Sequence, residues 1–134
     1  MNDTNWLRVG AIWGFLAVAM GAFGAHGLKD RLNALGQAAN YETATQYHMS
    51  CALALLAVGL LGLWGRSGPA NSIAGWTMFV GSIIFSGTLY ALAVTGQRWL
   101  GAITPIGGVL ILIGWSALAI AASPASRAIS QGTP

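Results

Sequence analysis

Polar and apolar positions fall in long blocks along this chain. Four stretches hold no Lys, Arg, Asp or Glu, at about 9–25, 43–64, 73–94 and 103–122. A charge at the centre of a bilayer costs about 2.5 to 3.5 kcal/mol even on insertion scales, so stretches of this kind are where a chain crosses lipid. Each approaches the ~20 residues that a helix rising ~1.5 Å per residue needs to cross ~30 Å of hydrocarbon. The pattern predicts four spans, 7–26, 43–64, 73–94 and 103–122, in one membrane domain covering 1–134. A mobile tail is expected at 123–134, which is rich in Ser, Pro, Ala and Gly. The fold class is all-α, an integral membrane four-helix bundle.

Punctuation between the spans sets the topology. Arg66-Ser67-Gly68-Pro69-Ala70-Asn71-Ser72 is a turn cluster, and Gly96 stands where a helix C-cap with positive φ costs nothing. Thr104-Pro105 reads as an N-cap followed by proline in the first turn, where its missing N–H is no loss. Both loops are short, so spans 2, 3 and 4 are expected to be antiparallel neighbours. The connection from 27 to 45 is longer and carries Lys29, Asp30, Arg31 and Glu42. Within it Leu28, Leu32 and Leu35 share one helical face, opposite Lys29, Asp30, Arg31 and Asn33. This is an amphipathic interfacial segment between helices 1 and 2. A helix packed over the bundle mouth is its alternative. Trp6, Trp64, Trp76 and Trp99 sit near predicted span ends and are expected at the headgroup level. Trp13 and Trp115 lie deeper, where helix–helix contact would give their N–H groups partners.

Composition agrees with lipid as the solvent. Of 134 residues, 55 % are hydrophobic and 7 % charged, against roughly a quarter charged in a soluble domain. A soluble single-domain enzyme does not fit. Cys51 is the one cysteine, so the chain can form no internal disulfide and no cysteine-based metal framework. The net charge of +3 comes from scattered single charges rather than a basic patch, so no nucleic-acid partner is expected. Arg8, Arg66 and Arg127 would lie on one side of the membrane and Lys29, Arg31 and Arg98 on the other, a tie that leaves orientation open. The small residues of Gly21-Ala22-Phe23-Gly24-Ala25, at the end of the first apolar run, also suit a signal-peptide reading, which the lone Arg8 offset by Asp3, Trp13 and the glycine stripe argue against.

Small residues form the strongest internal pattern. Gly10, Gly14, Ala17, Gly21 and Gly24 lie within about 40 degrees of one helical face. Similar stripes are Gly75, Ser82, Ser86 and Ala93 in span 3, and Gly107, Gly114 and Ala121 in span 4. They are helix-packing positions within the bundle, with an oligomer contact as the alternative use. The chemical candidates are His26 at the end of span 1 and Tyr41, Glu42, Thr45 and His48 at the start of span 2. This placement allows all five to meet at one membrane face. There they would form a hydrogen-bond network, clasp a lipid headgroup, relay protons or bind a transition metal. The network is the preferred use, and two histidines without a thiol pair predict no closed metal site. Ser86 lacks a nucleophile elbow, no Asp lies in a span to orient a histidine, and the glycines fall inside apolar spans rather than in a phosphate loop. No catalytic residue, metal or cofactor is expected.

Four segments then assemble in order: Gly21-Ala22-Phe23-Gly24-Ala25-His26-Gly27-Leu28, Tyr41-Glu42-Thr43-Ala44-Thr45-Gln46-Tyr47-His48-Met49-Ser50, Phe85-Ser86-Gly87-Thr88-Leu89-Tyr90 and Ile103-Thr104-Pro105-Ile106-Gly107-Gly108. Together they resemble the domain-of-unknown-function 423 family, whose eukaryotic relatives are transmembrane protein 256-like. The resemblance covers roughly 9–122 and implies a small four-helix, multi-pass protein of the bacterial inner membrane, without an assigned reaction, substrate or cofactor. The expected function is that of a non-enzymatic accessory or membrane-stabilising protein, with membrane lipid as partner, acting as a homo-oligomer or in a larger membrane complex. The alternative is a small proton-coupled transporter or channel acting as an oligomer. For that use spans 3 and 4 supply only Thr77, Ser82, Ser86, Thr88 and Ser116 as mid-membrane polar groups.

Overall fold

The computed structural model describes residues 2–124 and Gly132. The tail expected at 123–134 falls outside the described residues, apart from Ser123, Pro124 and Gly132. Four long helices carry the spans: α1 (Asp3–Ala25), α3 (Ala38–Leu63), α4 (Pro69–Thr95) and α5 (Thr104–Ala121). The short α2 (Lys29–Leu35) joins the first two, and a 3-10 turn (Arg98–Ala102) precedes α5. All four are long and apolar enough to cross a membrane, the last of them counted together with the 3-10 turn. α1, α3 and α4 begin several residues before the uncharged stretches do, because helical hydrogen bonding continues into the headgroup zone, where Asp3 and Glu42 are tolerated.

Local chemistry fixes the ends. Gly68 is extended and Pro69 occupies the first position of α4, while Gly96 at φ 73° and Gly36 at φ 65° close α4 and α2 in the left-handed region that glycine takes without strain. Thr104 is the first helical residue of α5 rather than its cap. Its hydroxyl instead bonds Leu100 O at 3.2 Å and Thr88 Oγ1 at 2.7 Å, tying α5 to α4. Arg66, in the loop before α4, donates from Nη1 to the carbonyls of Ala122 and Ser123 at 2.6 and 2.8 Å, covering the free C-terminal end of α5.

In space the order is α1, α3, α4, α5, each packed on the next. Glycine sets the closest approaches. A Cβ on Gly10 would stand 2.9 Å from Leu56 N and 3.0 Å from Ala52 O of α3, and one on Gly107 would stand 2.8 Å from Gly81 O of α4. Gly14 and Gly21 are looser, 3.8 Å from Ala52 Cβ and 4.0 Å from Thr45. Gly24 lies beneath the Tyr41 ring, Gly75 beneath the Trp6 indole and Gly114 against Met78. Trp6, Cys51, Leu55, Val58, Ala74, Met78 and Ile111 form the main core. The outer surface is apolar instead of charged. Phe15 is 72 % exposed and Leu112 67 %, as expected of side chains facing lipid.

Two tryptophans depart from expectation. Trp6 is buried rather than at the headgroup level, because Gly75 leaves room for its indole, which meets Trp76 edge-on at 5.3 Å. Trp115 is exposed on the outside of α5 instead of between helices. The amphipathic segment is α2. Leu32 is buried with Tyr41 and Ala93 over the bundle mouth, and Arg31 Nε donates to Val94 O at 2.8 Å, docking α2 on the end of α4. Leu35, the third leucine of that face, stays exposed.

Candidate functional site

Where α1, α2 and α3 converge at the mouth, they leave a cleft of about 240 Å³. Gly21, Gly24, Ala25, Leu32 and Tyr41 are among the residues that line it. Polar groups of Lys29, Asn33, Glu42 and Thr45 also line it, and Lys29 and Glu42 are exposed. Tyr41 is positioned from two sides: Gly24 gives its ring a place across α1, and its hydroxyl donates to Met20 O at 2.6 Å. Thr45 Oγ1 donates back to Glu42 O at 2.8 Å, a bond within α3 that leaves the hydroxyl's lone pairs available to the cleft.

A second polar group lies deeper. His48 is only 5 % exposed, and its Nδ1 is 3.0 Å from the Tyr90 hydroxyl of α4. The Trp13 ring of α1 lies against the imidazole, with centroids 4.8 Å apart, and its Nε1 donates to Ser82 Oγ at 2.8 Å. Ser82 in turn donates to Phe79 O at 2.9 Å, and Ser86 donates to Ala44 O at 2.8 Å. Thus α1, α3 and α4 are cross-linked by hydrogen bonds at mid-depth, where the surrounding lipid offers none. Among the described residues His48 Nε2 has no hydrogen-bond partner, although the Trp13 backbone lies beside the ring.

The five candidates therefore divide. Tyr41, Glu42 and Thr45 share the mouth cleft. His48 faces Trp13 and Tyr90 inside the bundle. His26 is exposed at the C-cap of α1, its backbone N–H bonded to Ala22 O, and it lines neither place. Trp13 is beside His48, and His26 follows Trp13 by thirteen residues on one helix, which separates the two histidines by about 20 Å along the axis. Lys29, Asn33, Trp13 and Tyr90 were not among the sequence candidates for these sites. Tyr90 carried a readable signal, since Ser82, Ser86 and Tyr90 recur every four residues on one face of α4. Among the described residues no three His, Cys, Asp or Glu side chains are grouped so as to hold a metal ion.

Comparison with known proteins places these features in a family. The profile described as "Protein of unknown function (DUF423)" matches residues 20–108. A UPF0382 membrane protein of Staphylococcus epidermidis is 50 % identical over 116 residues, covering 87 % of this chain and 93 % of that protein. UPF0382 membrane protein YwdK of Bacillus subtilis is 45 % identical over 117 residues, covering 87 % and 94 %. A UPF0382 membrane protein of Haemophilus influenzae is 43 % identical over 116 residues, covering 86 % and 90 %. No solved structure shows significant similarity. With its four apolar spans and this kinship along most of its length, the chain belongs to the DUF423 family and is a multi-pass membrane protein.

Proposed function

We propose that this protein is a small accessory protein of the membrane that holds a lipid headgroup at the mouth of α1, α2 and α3, acting by binding rather than by catalysis. The observation that carries this reading is the mouth cleft, whose lining combines apolar residues with one cation, Lys29, and one anion, Glu42. A headgroup with a phosphate and an ammonium matches that pair: Lys29 takes the phosphate and Glu42 the ammonium, with Asn33 and Thr45 as further hydrogen-bonding groups. Such a lipid would touch α1, α2 and α3 together. It would thereby stabilise the docked state by mass action, since it binds the folded mouth and not the opened one.

Thermal unfolding in detergent, with and without added phosphatidylethanolamine, tests this. The lipid should raise Tm in the wild type, and Lys29→Ala and Glu42→Gln should each reduce the rise. Equal stabilisation of wild type and both variants, or by any lipid regardless of headgroup, would overturn the proposal. Proton flux in proteoliposomes that is abolished by His48→Ala would replace it with the carrier reading.

A further inference from the structure

We infer that the outward face of α3 is a pairing surface for α3 of a second copy of this chain, parallel to the first, with Gln46 of each copy hydrogen-bonded to Gln46 of the other at hydrocarbon depth. Two faces of α3 are already occupied. Ala44, His48 and Val58 meet α4, where Ser86 donates to Ala44 O, Tyr90 lies 3.0 Å from His48 Nδ1 and Asn71 Nδ2 donates to Val58 O at 3.0 Å. Thr45, Ala52, Leu56 and Gly59 face α1, opposite Gly21, Gly10, Gly14 and Leu7. On the side turned away from both lie Ala39, Thr43, Gln46, Ser50, Leu53, Ala57 and Leu60, none of them buried, with Leu53 58 % exposed. Their spacing alternates four and three residues, the heptad seam along which two like helices pack. The glycine stripes are no rivals, since Gly10, Gly75, Gly107 and Gly114 are taken up by close contacts inside the chain.

Gln46 names the partner. Its side-chain amide is exposed and has no hydrogen-bond partner among the described residues, while its backbone carbonyl takes the Ser50 hydroxyl at 2.9 Å. Depth makes that amide costly to leave alone. The bonds from Ser86 to Ala44 and from Asn71 to Val58 set Gln46 level with Ile84 of α4. That is about 3 Å from the middle of α4 and about 7 Å from the middle of α3, inside the ~15 Å half-thickness of the hydrocarbon. Lipid at this level offers a primary amide neither donor nor acceptor. A second copy offers both. Under a two-fold axis along the membrane normal, Nε2 of each Gln46 donates to Oε1 of the other, and one residue type meets its own two needs reciprocally. The parallel sense follows from the same residue. In an antiparallel pair sharing one bilayer, Gln46 would face about positions 50 to 55, where Ser50 has already given its proton to the carbonyl of its own Gln46 and Leu53 offers no polar group. A parallel pair also sets both mouth clefts on the same side of the membrane.

Disulfide trapping of the full chain in bacterial membranes, with Cys51→Ala as background, tests the pairing. Leu53→Cys and Ala39→Cys should each cross-link to a second copy of the same variant under mild oxidation, because seam positions of a parallel pair approach the ~4.4 to 6.8 Å between Cα atoms that a disulfide spans. An antiparallel pair would hold the two Ala39 positions roughly 30 Å apart. Ile12→Cys and Leu112→Cys are the controls, 60 % and 67 % exposed on α1 and α5, and should cross-link at least about tenfold more slowly. Gln46→Leu should slow the Leu53→Cys reaction about tenfold and raise the dimer Kd in detergent by a similar factor, whereas Gln46→Asn, which keeps an amide, should retain most of the pairing. Cross-linking at Ile12→Cys or Leu112→Cys as fast as at Leu53→Cys would mean random collision and overturn the proposal. So would dimers as tight in Gln46→Leu as in the wild type, a Leu53→Cys adduct with a different protein in place of the dimer, or trapping at Leu53→Cys without trapping at Ala39→Cys.

Discussion

Single residues in this bundle act by what they leave out as much as by what they place. A Cβ at Gly10 would press on the Leu56 amide and the Ala52 carbonyl of α3, backbone atoms that cannot turn aside, whereas one at Gly14 would make an ordinary contact 3.8 Å from Ala52. Gly10→Ala should therefore destabilise the protein by about 1 to 3 kcal/mol, as overpacking does, while Gly14→Ala should be neutral or stabilising because alanine is the better helix former. Thermal unfolding of the two variants in one detergent checks this, and equal effects would show that α1 and α3 do not approach as closely as described. The histidines make a second contrast. His48 and Tyr90 share a hydrogen bond at 3.0 Å, so His48→Ala and Tyr90→Phe should be non-additive by about 0.5 kcal/mol or more. His26 is exposed at the far end of α1, and its substitution should simply add to that of His48. Coupling between His26 and His48 in the same cycle would place both in one site, against the geometry.

Helices here are joined at their ends by arginines whose partners are distant in sequence. Arg66 covers the last carbonyls of α5, and Arg31 of α2 covers Val94 O near the end of α4. A cation at a helix C-terminus is favoured by the macrodipole as well as by the hydrogen bond, together worth about 1 kcal/mol at an interface. Arg66→Ala should thus speed amide exchange in the last turn of α5 while leaving the middle of α4 protected; unchanged exchange there would mean that water caps α5 equally well. The existence and approximate extent of the four spans were legible in the sequence because lipid forbids charge over a fixed thickness, and the α2 leucines and Gly96 were legible because helical period and positive φ are local. Trp6 was not. Proximity to a helix end suggests a headgroup anchor, and only Gly75, sixty-nine positions along, converts it to core. The mouth was legible in part, since Tyr41, Glu42 and Thr45 share successive turns of one helix; His26 was misplaced with them because the ends of two spans can be assigned to one membrane face without fixing which way each side chain turns.

As a whole the molecule is an apolar-surfaced row of helices folded on α3 and α4, and two of its openings differ in character. One lies at the interface between the ends of α1 and α3 under α2, and the other opens sideways at mid-depth between α1 and α4. That arrangement makes a prediction about access that no single helix makes. With Cys51→Ala as background, a water-soluble maleimide should label a cysteine at Gly68, which lies in the loop before α4, quickly. Cysteines at Ala11, Leu55, Ile84 and Ile113 should stay unlabelled in intact membranes, Leu55 because it is buried in the core and the others because they are inside the spans. Leu32→Cys gives the decisive intermediate case: Leu32 is buried by the docking of α2 over Tyr41 and Ala93, which the Arg31 bond to Val94 O helps to hold. Its labelling should be slow in the background protein and faster when Arg31→Ala is added, with the four span positions still protected. If all five positions labelled at the rate of Gly68, the spans would not be in lipid; if Leu32→Cys labelled quickly with Arg31 intact, α2 would lie free on the membrane surface and the mouth cleft would lose one of its three walls.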